Sequence, residues 1–163
     1  MIDGVDKQIL TIVQRDARIS NAEIARQVGL APSAVLERLR KLEERGVIKK
    51  FIAKLDPAEV GFGLLAFVFV RTNECGDGTD ELLAAIPEVL EVHDVAGDDS
   101  YLLKVRAKDT EDLARLLREK LKGLPNVIST RTTVVLQTVK ETSILPLDRC
   151  GEMDPPKKKA KRG

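Results

Sequence analysis

Histidine and cysteine are nearly missing from this chain, and each scarcity closes off a class of chemistry. His93 is the single histidine, tryptophan is absent, and Cys75 and Cys150 are the two cysteines in 163 residues. A lone histidine offers no histidine pair for a metal, and no Cys/His/Asp cluster has metal-ligand spacing. The cysteines stand far apart, the pattern of reduced thiols rather than of a disulfide framework. Long apolar runs are missing as well. The longest, "LLAFVFV" at 64–70, falls far short of the roughly 20 residues a membrane-spanning helix needs. The opening "MIDGVDKQIL" has no basic flank and no long apolar core, so it does not read as a secretory signal. "GFG" and "GDG" lack the strand–helix context of a phosphate-binding loop. No cofactor, metal or catalytic group is expected, and the chain reads as cytoplasmic.

What remains is the composition of a globular protein, 43% hydrophobic and 33% charged, with a net charge of +1. That net charge hides an asymmetry. Residues 1–60 hold 11 Lys/Arg against 9 Asp/Glu, residues 61–150 hold 11 against 15, and residues 151–163 hold 5 against 2. An acidic body lies between two basic ends, a distribution that suits polyanion binding, although the small excess in the first segment is also within chance.

The first 46 residues have the apolar spacing of three short helices. Asp3 caps the first, with Asp6 in its opening turn and Val5, Ile9, Ile12 and Val13 on one face. Ser20 and Glu23 form a capping-box pattern, so a second helix starts at Asn21 and buries Ile24, Ala25 and Val28. Gly29 ends it in a left-handed turn, and Pro32 suits the first turn of a third helix that buries Val35, Leu39 and Leu42 and stops at Gly46. Small Ala25, Gly29 and β-branched Val35 sit where two helices of a helix-turn-helix meet, though an ordinary helical hairpin shares much of this pattern. The opposite surface of the third helix carries Ser33, Ala34, Glu37, Arg38 and Lys41, flanked by Arg40 and Arg45. Arginine donates bidentately to guanine, lysine and arginine neutralise phosphates, and small residues at the helix start allow close approach to base edges. Glu37 suits either a cytosine amine or, preferably, an i,i+4 ion pair with Lys41. The bland alternative for this face is a solvated helix surface.

"VIKKFIAKL" (47–55) reads as a strand and "DPAEVGFG" (56–63) as a Pro/Gly linker. Beyond them come a strand at 64–72, a helix from Thr79 with Leu82, Leu83 and Ile86 on one face, and strands at 89–97 and 100–109. A helix capped by Thr110 follows, with the stripe Leu113, Leu116, Leu117 and Leu121, and then a long strand at 127–139. Strand–helix–strand–strand–helix–strand is a split βαβ arrangement with both helices on one face of an antiparallel sheet. The first strand is apolar on both sides, so its other face calls for a cover, most simply a second copy packed sheet to sheet. Asp98 and Asp99 sit in the turn between the second and third strands, where they suit a cation or an ammonium group, or plain solvation. "KKKAKR" near the end suits phosphate attraction first, a solubilising tail second and an import signal third.

With those motifs laid out, "VDKQIL", "DARISNAEIARQVGLAPSAVLERLRKLEERGVI", "VAGDDSYLLKVRAKD" and "LPNVISTRTTVVLQTVKET" together resemble the Lrp/AsnC, or feast/famine, family of transcriptional regulators over residues 2 to about 148. The resemblance implies an α+β chain. A helix-turn-helix (winged-helix-like) domain would occupy 1–48, a strand and linker 49–63, and a ferredoxin-like ligand-sensing and oligomerisation domain 64–148; the basic tail at 149–163 is not a family feature, and its composition alone makes it read as disordered. The resemblance implies double-stranded DNA as partner, dimers that often become octamers, and an amino acid or related small effector bound between dimers. The effector turn would comprise Val95, Gly97, Asp98, Asp99, Ser100 and Tyr101, facing Thr130, Thr132, Thr133 and Val134. The turn departs from the family's usual G-x-Y/F-D-Y: Asp99 replaces the aromatic and Ser100 the aspartate, so only Asp99 offers a charge for an ammonium group. Ala31 likewise replaces a common serine cap. The altered turn and the basic tail keep an effector-independent architectural DNA-binding protein open as the alternative. A siroheme decarboxylase-like enzyme, which resembles the same architecture but depends on histidines, is disfavoured by the single His93.

Overall fold

A computed structural model describes residues 2–73 and 78–147. Cys75, Cys150 and the basic run, on which sequence expectations fall, lie outside the described residues. The chain divides into two compact units, Met1–Ala53 together with the chain from Glu141, and Lys54–Lys140.

Three helices, α1 (Gly4–Arg15), α2 (Asn21–Val28) and α3 (Pro32–Glu44), build the first unit. Asp3 and Asp6 open α1 with a reciprocal box: Asp6 N donates to Asp3 Oδ1 at 2.7 Å, and Asp3 N donates to Asp6 Oδ2 at 3.2 Å. At α2 only half of the expected box forms. Ser20 Oγ accepts from Glu23 N at 3.2 Å, while the Glu23 carboxylate turns to Arg26, at 2.6 and 2.9 Å, and to Gln27, at 2.9 Å. Gly29 then ends α2 with φ +72°, and Leu30 N donates back to Ala25 O. Pro32 opens α3, where Ala31 provides no side-chain cap. Ile9, Val13, Ile24, Ala25, Val35 and Leu39 interlock as the core between the helices. The chain from Glu141 returns to this unit, with Leu145 N donating to Gln14 Oε1 at 2.8 Å and Gln14 Nε2 to Leu145 O at 3.4 Å. The strand expected over 47–55 does not form. A strand requires a ladder partner, the sheet among the described residues pairs four other segments, and Phe51, Ile52 and Leu55 are left exposed.

The second unit runs β1 (Leu64–Thr72), α4 (Thr79–Ala84), β2 (Val89–Asp94), β3 (Tyr101–Ala107), α5 (Thr110–Leu116, continued by a π-helical turn over Leu117–Leu121) and β4 (Val127–Val134). The sheet order is β2-β3-β1-β4 and every pair is antiparallel. This is the split βαβ order read from the sequence. Ala66, Val68 and Val70 of β1 and Tyr101, Leu103 and Val105 of β3 share one face, buried with Leu83, Leu113, Leu116 and Leu121 from the helices. The alternate residues Phe67, Phe69, Leu102 and Lys104 fall on the other face by the two-residue period of a strand.

Several boundaries move. The cap of α4 is Gly78 rather than Thr79, which is buried in the first turn. The cap of α5 is Asp109 rather than Thr110, its carboxylate accepting from Asp112 N at 2.8 Å. Leu82 is exposed instead of joining Leu83 and Ile86, because α4 stops at Ala84 and Ile86 reaches the core from the following turn. β4 ends at Val134 instead of residue 139, since its partner β1 begins at Leu64; Val135 N makes one more bond, to Leu65 O, and Leu136 and Val139 are exposed. No described helix is long and apolar enough to cross a membrane.

Candidate nucleic-acid interface and effector turn

The α3 face is set by the burial of Val35, Leu39 and Leu42 beneath it. That burial turns Ser33, Glu37, Arg40, Lys41 and Arg45 to the exposed side, with Ala34 and Arg38 half-buried at the flank. Glu37 pairs with Lys41 at 3.1 Å, as its i,i+4 spacing suggests, and with Arg40 at 3.6 Å; Arg40 also reaches Glu44 at 2.8 Å. The Lys41 ammonium, ahead of the charge of Arg40, holds the Glu37 carboxyl below its ordinary value. Such exposed pairs contribute little to stability and yield readily to a phosphate.

Arg38 stands apart from that set. Its Nη1 lies 2.7 Å from Asp3 and 2.7 Å from Asp6, tying α3 to the start of α1. The Asp6 side chain is only 10% exposed. Sequence reading missed both aspartates as partners, because the pair spans 32 to 35 residues and no local pattern announces it. Asp6, Ala34, Glu37, Arg38, Lys41, Leu42 and Arg45 line a groove of about 310 Å³ along this flank. On α2, the exposed Glu23 carboxyl is held down to about 2 by its hydrogen bonds from Arg26 and then Gln27.

The turn between β2 and β3 is fastened to β1. Ser100 N donates to Val70 O at 2.9 Å, Val95 N donates to Ser100 O at 3.1 Å, and Ser100 Oγ accepts from Thr72 N at 3.2 Å and lies 2.9 Å from Thr72 Oγ1. Ser100 therefore acts as a brace inside the protein. Tyr101 is buried in the core, and Gly97 and Asp98 are exposed at the tip. Asp99 reaches across to β4, where Arg131 Nη2 lies 2.8 Å from its Oδ2, and the Arg131 guanidinium sits 4.0 Å over the Phe69 ring.

The strand register divides the remaining predicted residues. Thr130, Thr132 and Val134 lie opposite Val70, Val68 and Ala66, on the helix-covered side of the sheet. Arg131 and Thr133 lie opposite Phe69 and Phe67, on the other side. The structure thus groups Asp99, Arg131 and Phe69, and sets Thr130, Thr132, Val134 and Tyr101 apart from them. Arg131 went unread in the sequence, although its alternation with Thr130 and Thr132 carries the signal.

A helix-turn-helix with a basic outer face and a separate split βαβ sheet define a two-part DNA-binding regulator. Residues 2–49 match the winged helix-turn-helix DNA-binding model, and residues 65–145 match the Lrp/AsnC ligand binding domain. The chain is 40% identical to the HTH-type transcriptional regulator FL11 of Pyrococcus horikoshii over 148 residues, covering 90% of this chain and 97% of that one. It is 41% identical to the leucine-responsive regulatory protein of Salmonella typhimurium, covering 88% and 90%. A crystal structure of a transcriptional regulator from Neisseria meningitidis in complex with L-methionine superposes with a TM-score of 0.85 at 31% identity, over 91% of this chain and 98% of that one. The chain belongs to the Lrp/AsnC family of transcriptional regulators.

Proposed function

We propose that this regulator reads a specific operator with the α3 face formed by Ser33, Ala34, Glu37, Arg38, Arg40, Lys41 and Arg45, and that a small amino acid or related metabolite modulates it. The observation that carries the reading is the placement of these polar and cationic groups on the second helix of the helix-turn-helix, opposite its buried apolar stripe. Two such helices in a dimer enter successive major grooves at a spacing of about 34–36 Å or a multiple of it. Phe67, Phe69 and Leu102 on the sheet face opposite α4 and α5 support pairing between copies, and dimers assemble further around the effector turn. The protein works in the cytoplasm and carries no catalytic chemistry of its own.

The effector reading is supported by the L-methionine bound in the related Neisseria meningitidis structure. In this chain Asp99 is the group that holds an ammonium, because Ser100 is occupied by Thr72. The Asp99–Arg131 ion pair favours a second reading, an effector-independent architectural protein in which that pair keeps the turn closed.

Binding to the protein's own promoter and to random duplex, with genomic footprinting in the presence and absence of amino acids, tests the main reading. Arg38→Ala is expected to weaken operator binding more than random binding; equal losses demote Arg38 to a phosphate contact. An amino-acid panel that produces no thermal stabilisation at millimolar concentration selects the architectural reading.

A further inference from the structure

The contacts of Arg38 are one-sided. Nη1 carries two N–H groups, and one goes to Asp3 Oδ2 while the other goes to Asp6 Oδ1, each at 2.7 Å. Nε and Nη2 have no partner among the described residues. Together they make the side-on fork of a guanidinium, whose spacing matches O6 and N7 of guanine. The clamp is firmly seated, because Asp3 and Asp6 also close the reciprocal box at the start of α1 and Asp6 is almost entirely buried. Its partner Arg38 is one-third exposed and lines the same groove as Ala34, Lys41 and Arg45, which share its stripe on α3.

We propose that Asp3 and Asp6 are positioning residues for DNA recognition: from α1 they hold Nη1 of Arg38 so that its Nε–Nη2 fork is presented, already ordered, to a guanine edge. The inference rests on the reading of α3 as the DNA-reading helix. An unbraced arginine must give up its rotamer freedom when it binds, whereas a braced one has given it up on folding. The carboxylates also repel the acceptor-only phosphate backbone, which disfavours a role for Arg38 as a plain phosphate neutraliser.

The test compares the full-length protein with its Asp6→Asn, Asp3→Asn, Arg38→Ala and Arg38→Ala/Asp6→Asn variants. Each is titrated with the footprinted operator and with a random duplex of equal length, across a salt series. Asparagine still caps a helix, so Asp3→Asn keeps α1 intact and serves even where the buried Asp6→Asn fails to fold. Each asparagine variant is expected to lower the operator-to-random affinity ratio by roughly 5-fold or more, the scale of one bidentate contact, with the salt slope unchanged. In the Arg38→Ala background the Asp6→Asn change should leave the ratio where Arg38→Ala alone put it. An unchanged ratio in a folded Asp3→Asn protein, or the same additional loss with Arg38 already removed, overturns the proposal. A wild-type protein with no preference for its own operator instead overturns the reading of α3, a distinguishable result.

Discussion

Arg131 Nη2 lies 2.8 Å from Asp99 Oδ2, joining the β2–β3 turn to the strand at the far edge of the sheet. Asp99 is four-fifths buried within this pair while Arg131 is largely exposed, and in the proposed effector site the guanidinium would give way to an incoming ammonium. Asp99→Asn is therefore expected to weaken binding of a stabilising amino acid by about tenfold or more, since hydrogen bonds to charged groups are worth about 1.5–3 kcal/mol. Isothermal titration with the amino acid found in the thermal panel measures it. Undiminished affinity in the Asn variant would remove Asp99 from the site.

The helical unit should lose stability in acid through Asp3. Its carboxyl is held below the ordinary 3.8 first by the N–H of Asp6 and then by Arg38. A folded value below the unfolded one means that the ionised form favours the fold. The contribution is thus complete above about pH 5 and fades as pH falls past the ordinary value and through the lowered folded one. Urea unfolding followed between about pH 3 and pH 6 should show a shallower acid limb for Asp3→Asn than for the wild type. Identical limbs would mean that the ionisation of Asp3 does not contribute.

Ala31 leaves the first turn of α3 without a side-chain cap. Its backbone is already extended, at φ −74° and ψ 146°, so a serine hydroxyl has the geometry to accept from the helix start. Ala31→Ser should raise stability by about 0.5–2 kcal/mol, read as an increased urea midpoint at constant slope.

Gly29 isolates the conformational part of a turn from the steric part. Its φ is +72°, and an added Cβ meets nothing within 4 Å. Gly29→Ala should therefore cost about 1–2 kcal/mol through backbone strain alone, and Gly29→Asn less, because asparagine tolerates the left-handed region. Equal costs for Ala and Asn in equilibrium unfolding would point to a packing cause instead.

Local features were legible in the chain because their causes are local. The Gly29 turn, the Asp3 cap, the Pro32 start and the i,i+4 pair of Glu37 with Lys41 each depend on residues a few positions apart. The leucines 113, 116 and 121 show their buried face through helical spacing, and β3 shows its own through strict alternation. Sequence and structure part where two adjacent residues offer equivalent chemistry, as with Asp109 and Thr110, or where a segment requires a distant partner, as with 47–55.

The sequence by itself determined the three-helix unit, the strand and helix order of the second unit, and the basic face of α3, since periodicity and capping are short-range physics. Tertiary structure alone decided that Arg38 is clamped by Asp3 and Asp6, that Ser100 braces Thr72, and that Arg131 rather than Thr130 or Thr132 meets Asp99. Those contacts join residues 28 to 35 positions apart. Helix packing and strand register select the partners at that separation, and a one-residue slip in register would carry Arg131 to the opposite face of the sheet.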